Sequence, residues 1–147
     1  MTAKEFLMMG WKIEKRIDAR IAERERIMDR MTAVRKSTPS ATGARGGRRR
    51  DWTDAVAALE DVDARLNREI AELCRIKRMI AEAIDAVEII SQRRVLEMRY
   101  RNYMTWEQIA VNMPCDIRTV YRLHGRALTR VRVPEQSAIV CHAGYVQ

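Results

Sequence analysis

Arg118, Arg122 and Arg126 recur every four residues, and Thr119 and Tyr121 stand between them. On a helix that spacing puts three guanidinium groups on one face. Like charges so placed disfavour an isolated helix by roughly a few tenths of a kcal/mol per pair. A polyanion reverses the sign, because each arginine then neutralises a phosphate or forks onto guanine O6 and N7. No acidic residue follows Asp116 until Glu135, and Arg130 and Arg132 extend the basic run. The chemistry within reach of these residues is binding of nucleic acid.

Other chemistries find little to work with. His124 and His142 are far apart and have no matched nucleophile, so both read as surface histidines. Cys74, Cys115 and Cys141 are odd in number and lack C-x-x-C spacing, which fits reduced thiols better than a disulfide frame or a zinc site. Cys115 falls at an apolar position and reads as a buried thiol. The acids of 51–88 read as a solvated helix face, not a metal cage. The expectation is no cofactor, no metal and no enzyme. Phe6–Trp11 is too short for a signal-peptide core and nothing reaches the length of a membrane span, so the chain is expected to be soluble and intracellular, without a membrane partner.

The elements that position the arginines follow from caps and periodicity. Val95, Leu96, Met98 and Tyr100 mark a helix, and 101–104 a connection. Thr105-x-x-Gln108 is a capping box that opens a short helix through Met113. Pro114-Cys115-Asp116 makes a tight turn, and Asp116 caps a last helix from Ile117 to about Val131. Ile109, Ala110 and Met113 can pack against Cys115, Val120 and Leu123, leaving Arg118, Thr119, Tyr121, Arg122 and Arg126 outside. Trp106 packs or lies against a DNA backbone, with packing favoured. Short helix, turn and longer helix is the helix-turn-helix plan.

Two longer segments precede it. Thr2-x-x-Glu5 is a capping box, and Phe6, Met9, Ile13, Ile17, Ile21, Met28, Met31 and Val34 keep helical spacing. Segment 37–50 (STPSATGARGGRRR) has no core pattern and reads as a flexible loop. Asp51 then caps a second helix whose row is Trp52, Val56, Leu59, Leu66, Ile70, Leu73, Ile80, Ile84 and Val87, with Val62 and Ile76 flanking. A turn near residue 43 would pair Ile17 with Ile70, Ile21 with Leu66 and Met31 with Val56. The domains expected are a long antiparallel hairpin, 1–88, with its Arg/Gly-rich loop 37–50; a helix-turn-helix domain, 89–133; and a tail, 134–147, without a pattern.

The composition agrees with an all-α chain: 47% hydrophobic, 5% aromatic and 33% charged, with 6 Gly and 3 Pro in 147 residues. The net charge of +8 is unevenly divided. Residues 1–36 carry ten basic and six acidic side chains, 37–50 four arginines and no acid. Residues 51–88 reverse the sign with five basic and ten acidic, and 89–133 hold nine arginines against three acids. The opposite signs of the two long helices suit antiparallel pairing. Two helices bury one stripe poorly, so a dimeric four-helix arrangement is preferred over a monomeric hairpin propped on the third block. Arg48, Arg49 and Arg50 read either as an electrostatic arm on DNA phosphates or as a soluble linker.

The runs Val95-Leu96-Glu97-Met98-Arg99-Tyr100, Thr105-Trp106-Glu107-Gln108-Ile109-Ala110 and Arg118-Thr119-Val120-Tyr121-Arg122-Leu123-His124-Gly125-Arg126-Ala127-Leu128 resemble sigma-70 region 4. With the opening Met1-Thr2-Ala3-Lys4-Glu5-Phe6-Leu7, they resemble still more the small phage proteins grouped with late-gene transcription regulators. The resemblance covers the start and 89–131, and the middle in pattern only. It implies a helix-turn-helix whose second helix enters the major groove. By matching position, Arg118, Thr119, Tyr121 and Arg122 are the candidate base readers, and Arg126 and Arg130 the candidate phosphate contacts. Pro114 stands where region 4 usually has Gly, Ile89-Ile90 replaces the usual Leu-Pro, and no aromatic-rich promoter-melting segment is present. The resemblance therefore implies a regulator acting with RNA polymerase in the cytoplasm of a bacterial host, not a complete sigma factor.

The expected function is sequence-specific binding of double-stranded DNA. Two alternatives stand beside it. One is a DNA-packaging component of small-terminase type, which a ring of eight or more subunits would favour. The other is a protein-interaction module whose basic face is incidental.

Overall fold

Thr2 and Glu5 close the first turn of the chain onto each other. The Thr2 amide donates to Glu5 Oε2 at 2.7 Å, and the Glu5 amide donates to Thr2 Oγ1 at 3.2 Å. From this capping box runs helix α1, Ala3–Lys36. The computed structural model describes residues 1–36 and 45–135. Residues 37–44 and 136–147, and the side chains of Arg45, Gly46 and Arg48, lie outside that description, and with them most of the expected loop and tail. Every regular element among the described residues is helical.

The second helix, α2, spans Arg45–Asp85. It begins ahead of Asp51, so Arg48, Arg49 and Arg50 belong to a helix and not to a loop. The Thr53 hydroxyl donates to the Arg49 carbonyl at 2.8 Å, a bond only helical backbone allows at this spacing. Arginine is a good helix former, and once the apolar face beyond Trp52 has fixed a helix, extension backwards gains one hydrogen bond per residue.

The chain divides into two compact units, Ile13–Glu72 and Met1–Lys12 with Leu73–Gln147. In the first, Ile13, Ile17, Ile27 and Val62 are buried. Arg16 pairs with Glu72 at 2.9 Å, Arg20 with Glu69 at 3.8 Å and Arg24 with Asp63 at 2.7 Å. The partners rise along α1 as they fall along α2, the order of antiparallel helices. The Arg16–Glu72 and Arg24–Asp63 pairs are partly exposed, so they select direction and register more than they stabilise, and Arg20–Glu69 is the more buried pair. The expected row is only part of what α2 covers here: Val56, Leu59 and Leu66 are half-buried and Ile70 is 42% exposed, while Val62, placed on the flank, is 3% exposed. Ile21 and Met28 on α1 are 41% and 40% exposed. A row spaced every seven residues drifts around a straight helix, so one stripe cannot stay against a single partner.

In the second unit, α3 (Ile90–Leu96) continues into a π turn, Glu97–Arg101, followed by α4 (Trp106–Asn112) and α5 (Ile117–Leu128). Phe6, Leu7, Ile76, Ile80, Ile84 and Val87 are buried within this unit along with Val95 and Leu96. The packing therefore divides α2 near Leu73. Three short helices have too little apolar surface to close a core, and the start of α1 and end of α2 complete it. Each such side chain is worth about 1.5–3 kcal/mol. A Cβ on Gly10 would lie 3.5 Å from both Ile80 Cδ1 and the Tyr103 hydroxyl, which is ordinary contact and marks how closely these segments meet.

The expected connection at 101–104 follows that π turn, which takes in Arg101 alone of these residues. The Asn102 amide donates to the Glu97 carbonyl at 3.1 Å and Met104 to Met98 at 2.9 Å. Tyr103 takes φ 53°, a left-handed conformation costly for a tyrosine. Its ring lies 5.7 Å from Lys77 Nζ. Arg101 adds an ion pair of 3.5 Å to Asp85 across the same unit.

Candidate nucleic-acid interface

α4 and α5 are set by their caps. The Thr105 hydroxyl accepts from the Gln108 amide at 3.3 Å, and Gln108 Oε1 accepts from the Thr105 amide at 2.9 Å, a complete capping box. Asp116 accepts from the Thr119 amide at 3.2 Å and starts α5. Between the two helices the Cys115 amide donates to the Ala110 carbonyl at 3.1 Å and closes the turn. Hydrogen bonding from Thr119 holds the Asp116 carboxyl below its usual range, and the charge of Arg122 adds to this. Thr119 is half-buried and spends its capping bond on Asp116.

α5 packs against α3 and α4. Val120 joins Val95, Met98 and Ile109 in one cluster, with Met104, Trp106, Ala110, Met113, Cys115 and Leu123 against it. The packing residues picked from spacing thus come together. Val120, His124 and Ala127 form the buried side of α5, and Arg118, Tyr121, Arg122, Gly125 and Arg126 are exposed. α5 stops at Leu128, short of Val131. The Thr129 hydroxyl donates to the Arg126 carbonyl at 2.8 Å and the Arg130 amide to Ala127 at 2.9 Å, so Arg130 is exposed on the turn after the helix.

His124 is the clearest correction: it is buried, not on the surface. Its Nε2 lies 2.9 Å from the Tyr100 hydroxyl, its ring stacks on Tyr100 at 5.8 Å, and the edge of Trp106 meets it at 4.9 Å. Burial pushes its pKa down to about 4, and the charges of Lys4 and Arg99 act the same way. The neutral imidazole shares this hydrogen bond with the Tyr100 hydroxyl, and burial raises the Tyr100 pKa. A histidine spaced four residues from Val120 and three from Ala127 carries the signal of a core position, which its polarity masked.

Trp106 packs, as favoured. Besides His124 it meets Tyr121 at 5.0 Å between ring centroids, and Arg99 Cζ lies 4.5 Å from its ring centroid. Arg99 also donates to the Met104 carbonyl at 2.7 Å. Tyr121 is thereby steadied on one side and still 48% exposed. Arg118, Arg122 and Arg126 share α5 with it, one turn apart. Arg49 and Arg50 are exposed near the start of α2, in the other unit, and the Arg48 side chain lies outside the described residues. Among the described residues no group of His, Cys, Asp and Glu can hold a metal ion. Cys115 is half-buried and free, Cys74 exposed and free, and Cys141 lies outside the described residues.

What the geometry defines at this level is an all-helical protein, with no helix among the described residues long and apolar enough to cross a membrane. Residues 12–127 match the family described as protein of unknown function (DUF722), and the chain belongs to that family. No curated protein and no solved structure matches it.

Proposed function

We propose that the chain is a sequence-specific double-stranded DNA-binding protein, a phage transcription regulator that acts with the host RNA polymerase in the bacterial cytoplasm. In this reading α4 and α5 form a region-4-like helix-turn-helix behind a long antiparallel hairpin, and the protein binds without catalysing a reaction. The observation that carries it is the two-sidedness of α5. Val120, His124 and Ala127 are buried on one side, and Arg118, Arg122 and Arg126 are exposed together on the other. Packing fixes the helix against its own charge repulsion, and the arginines are left to a polyanion.

α5 enters the major groove with its first turns leading. Arg118 and Arg122 fork onto base edges, Tyr121 offers its ring edge and hydroxyl from its seat on Trp106, and Thr119 lies beside them. Arg126, Arg130 and the Arg48–Arg50 cluster hold phosphates. A dimer joined through the α1–α2 pair presents two copies of α5 to half-sites one or more helical turns apart. The exposed Ile21, Met28 and Ile70 support that pairing.

Mobility-shift titration against duplexes selected from a random pool tests the reading. Wild-type protein is expected to enrich a motif, with log K falling against log[salt] at a slope of about −0.9 per phosphate contacted. The double variant Arg118→Ala/Arg122→Ala is expected to lose binding while keeping its helical circular dichroism. Unchanged binding by that variant sinks the assignment.

A further inference from the structure

We infer that the main chain of α5 at Gly125 is where the duplex comes closest to the protein, its surface packing directly on the helix backbone. This rests on the DNA-binding reading above and goes beyond it, because that reading assigns Gly125 no role toward bases or phosphates.

A glycine inside a helix costs stability relative to alanine, so its presence asks for a reason. The fold supplies none. Gly125 is exposed at the start of the last turn of α5, and a Cβ built on it meets nothing within 4 Å among the described residues. Gly10 makes the contrast. It is also within a helix, but a Cβ there would touch Ile80 and Tyr103, so close packing of the fold accounts for it. Gly47 is open as well, yet it lies in the first turn of α2, where glycine disturbs no completed hydrogen-bond ladder.

Position gives the reason. Seven residues at about 100° each bring Gly125 back to within about 20° of Arg118 around the helix. Gly125 follows Arg122 by three residues and precedes Arg126 by one, on the side away from Val120, His124 and Ala127. The arginine face therefore ends at a notch without a side chain, with Arg118 two turns before it, Arg122 and Arg126 on one flank and Tyr121 on the other. A surface that is drawn in by those arginines reaches the helix backbone only at such a notch, and glycine is the residue that permits that approach. For a helix in a major groove, the approaching surface is the groove wall of sugar and phosphate.

The test uses Gly125→Ala and Gly125→Leu in the full chain, beside Arg118→Ala/Arg122→Ala, against duplexes selected by the wild-type protein. Both glycine variants have open space to occupy, and thermal melts followed by circular dichroism are expected to give a higher melting temperature for Gly125→Ala. Binding is expected to weaken several-fold in Gly125→Ala and at least tenfold in Gly125→Leu, so that stability and affinity move in opposite directions. Affinity within twofold of wild type for Gly125→Leu, with binding lost in the arginine variant, overturns the close approach and leaves the DNA-binding reading standing. A wild-type protein that enriches no duplex overturns both.

Discussion

Acidification from pH 7 to pH 4 is expected to loosen the helices around α5 through a single side chain, His124. Its pKa is about 4 in the folded chain, held there by burial and then by the charges of Lys4 and Arg99, against an ordinary value of 6.5. The unfolded chain therefore binds a proton through this window and the folded chain does not, so stability falls as pH falls. Below the folded pKa both states are protonated and the loss levels off. With one pKa unit worth about 1.4 kcal/mol, the loss reaches about 2 kcal/mol at pH 5 and about 3 kcal/mol at pH 4. The capping carboxylates Glu5 and Asp116, and Glu107 in the first turn of α4, all have pKa values lowered from the ordinary, so their stabilisation is lost only at lower pH, as they protonate. The interval from pH 7 to 5 thus isolates His124. Urea unfolding followed by circular dichroism at pH 7, 6 and 5, for wild type and His124→Gln, reads the difference. Wild type is expected to lose about 2 kcal/mol more than the variant across that interval. Parallel losses in the two proteins would refute the linkage, and a nuclear magnetic resonance titration placing His124 near 6.5 would refute its cause.

Two further outcomes follow from particular contacts. Thr105→Ala removes the hydroxyl that accepts from the Gln108 amide, and is expected to lower unfolding stability by about 1 kcal/mol in urea titration; restoring an acceptor with Thr105→Ser should recover most of it, and no difference between the two variants would contradict the cap. Ile21→Glu/Ile70→Glu places charge on the exposed apolar side chains of the α1–α2 pair, and is expected to convert a species of twice 17.1 kDa into one of 17.1 kDa by sedimentation equilibrium; a wild-type monomer would refute the dimer, and a ring of eight or more subunits would favour the packaging alternative.

Three of the four expected caps were legible in the sequence, and Asp51 was not one of them, since it lies inside α2. Thr2/Glu5, Thr105/Gln108 and Asp116 each act over three or four residues, so their geometry follows from local spacing alone. The packing of Ile109, Ala110, Met113, Cys115, Val120 and Leu123 was legible for a related reason, since two short helices and one tight turn leave few ways to meet. Three features were not. The start of α2 at Arg45 depends on a helix nucleated elsewhere growing into a stretch of weak preference. The inner side of α2 depends on where a straight helix drifts against its partner, which buries Val62 and leaves Ile70 out. The burial of His124 depends on Tyr100, twenty-four residues away, meeting its Nε2. At the last two of these, a partner distant in sequence outweighs local preference.

That division also explains how α5 carries its arginines. Repulsion within Arg118, Arg122 and Arg126 amounts to two pairs at a few tenths of a kcal/mol each, roughly 1 kcal/mol at most. Burial of Val120 and Ala127 with Leu123 packed beside them offsets it several times over, at about 0.8 kcal/mol for each buried methylene. The helix therefore does not need its charged side to fold, and that side is open to requirements other than stability. Gly125 belongs to the same argument, being a residue that weakens the helix on the side where helix stability is not what is being optimised. His124 lies on the opposite side, and its neutral imidazole joins α5 to the π turn through Tyr100. One helix thus has two distinct sides: one sets its position in the protein, and the other leaves Arg118, Arg122 and Arg126 exposed, where the proposed duplex would meet them.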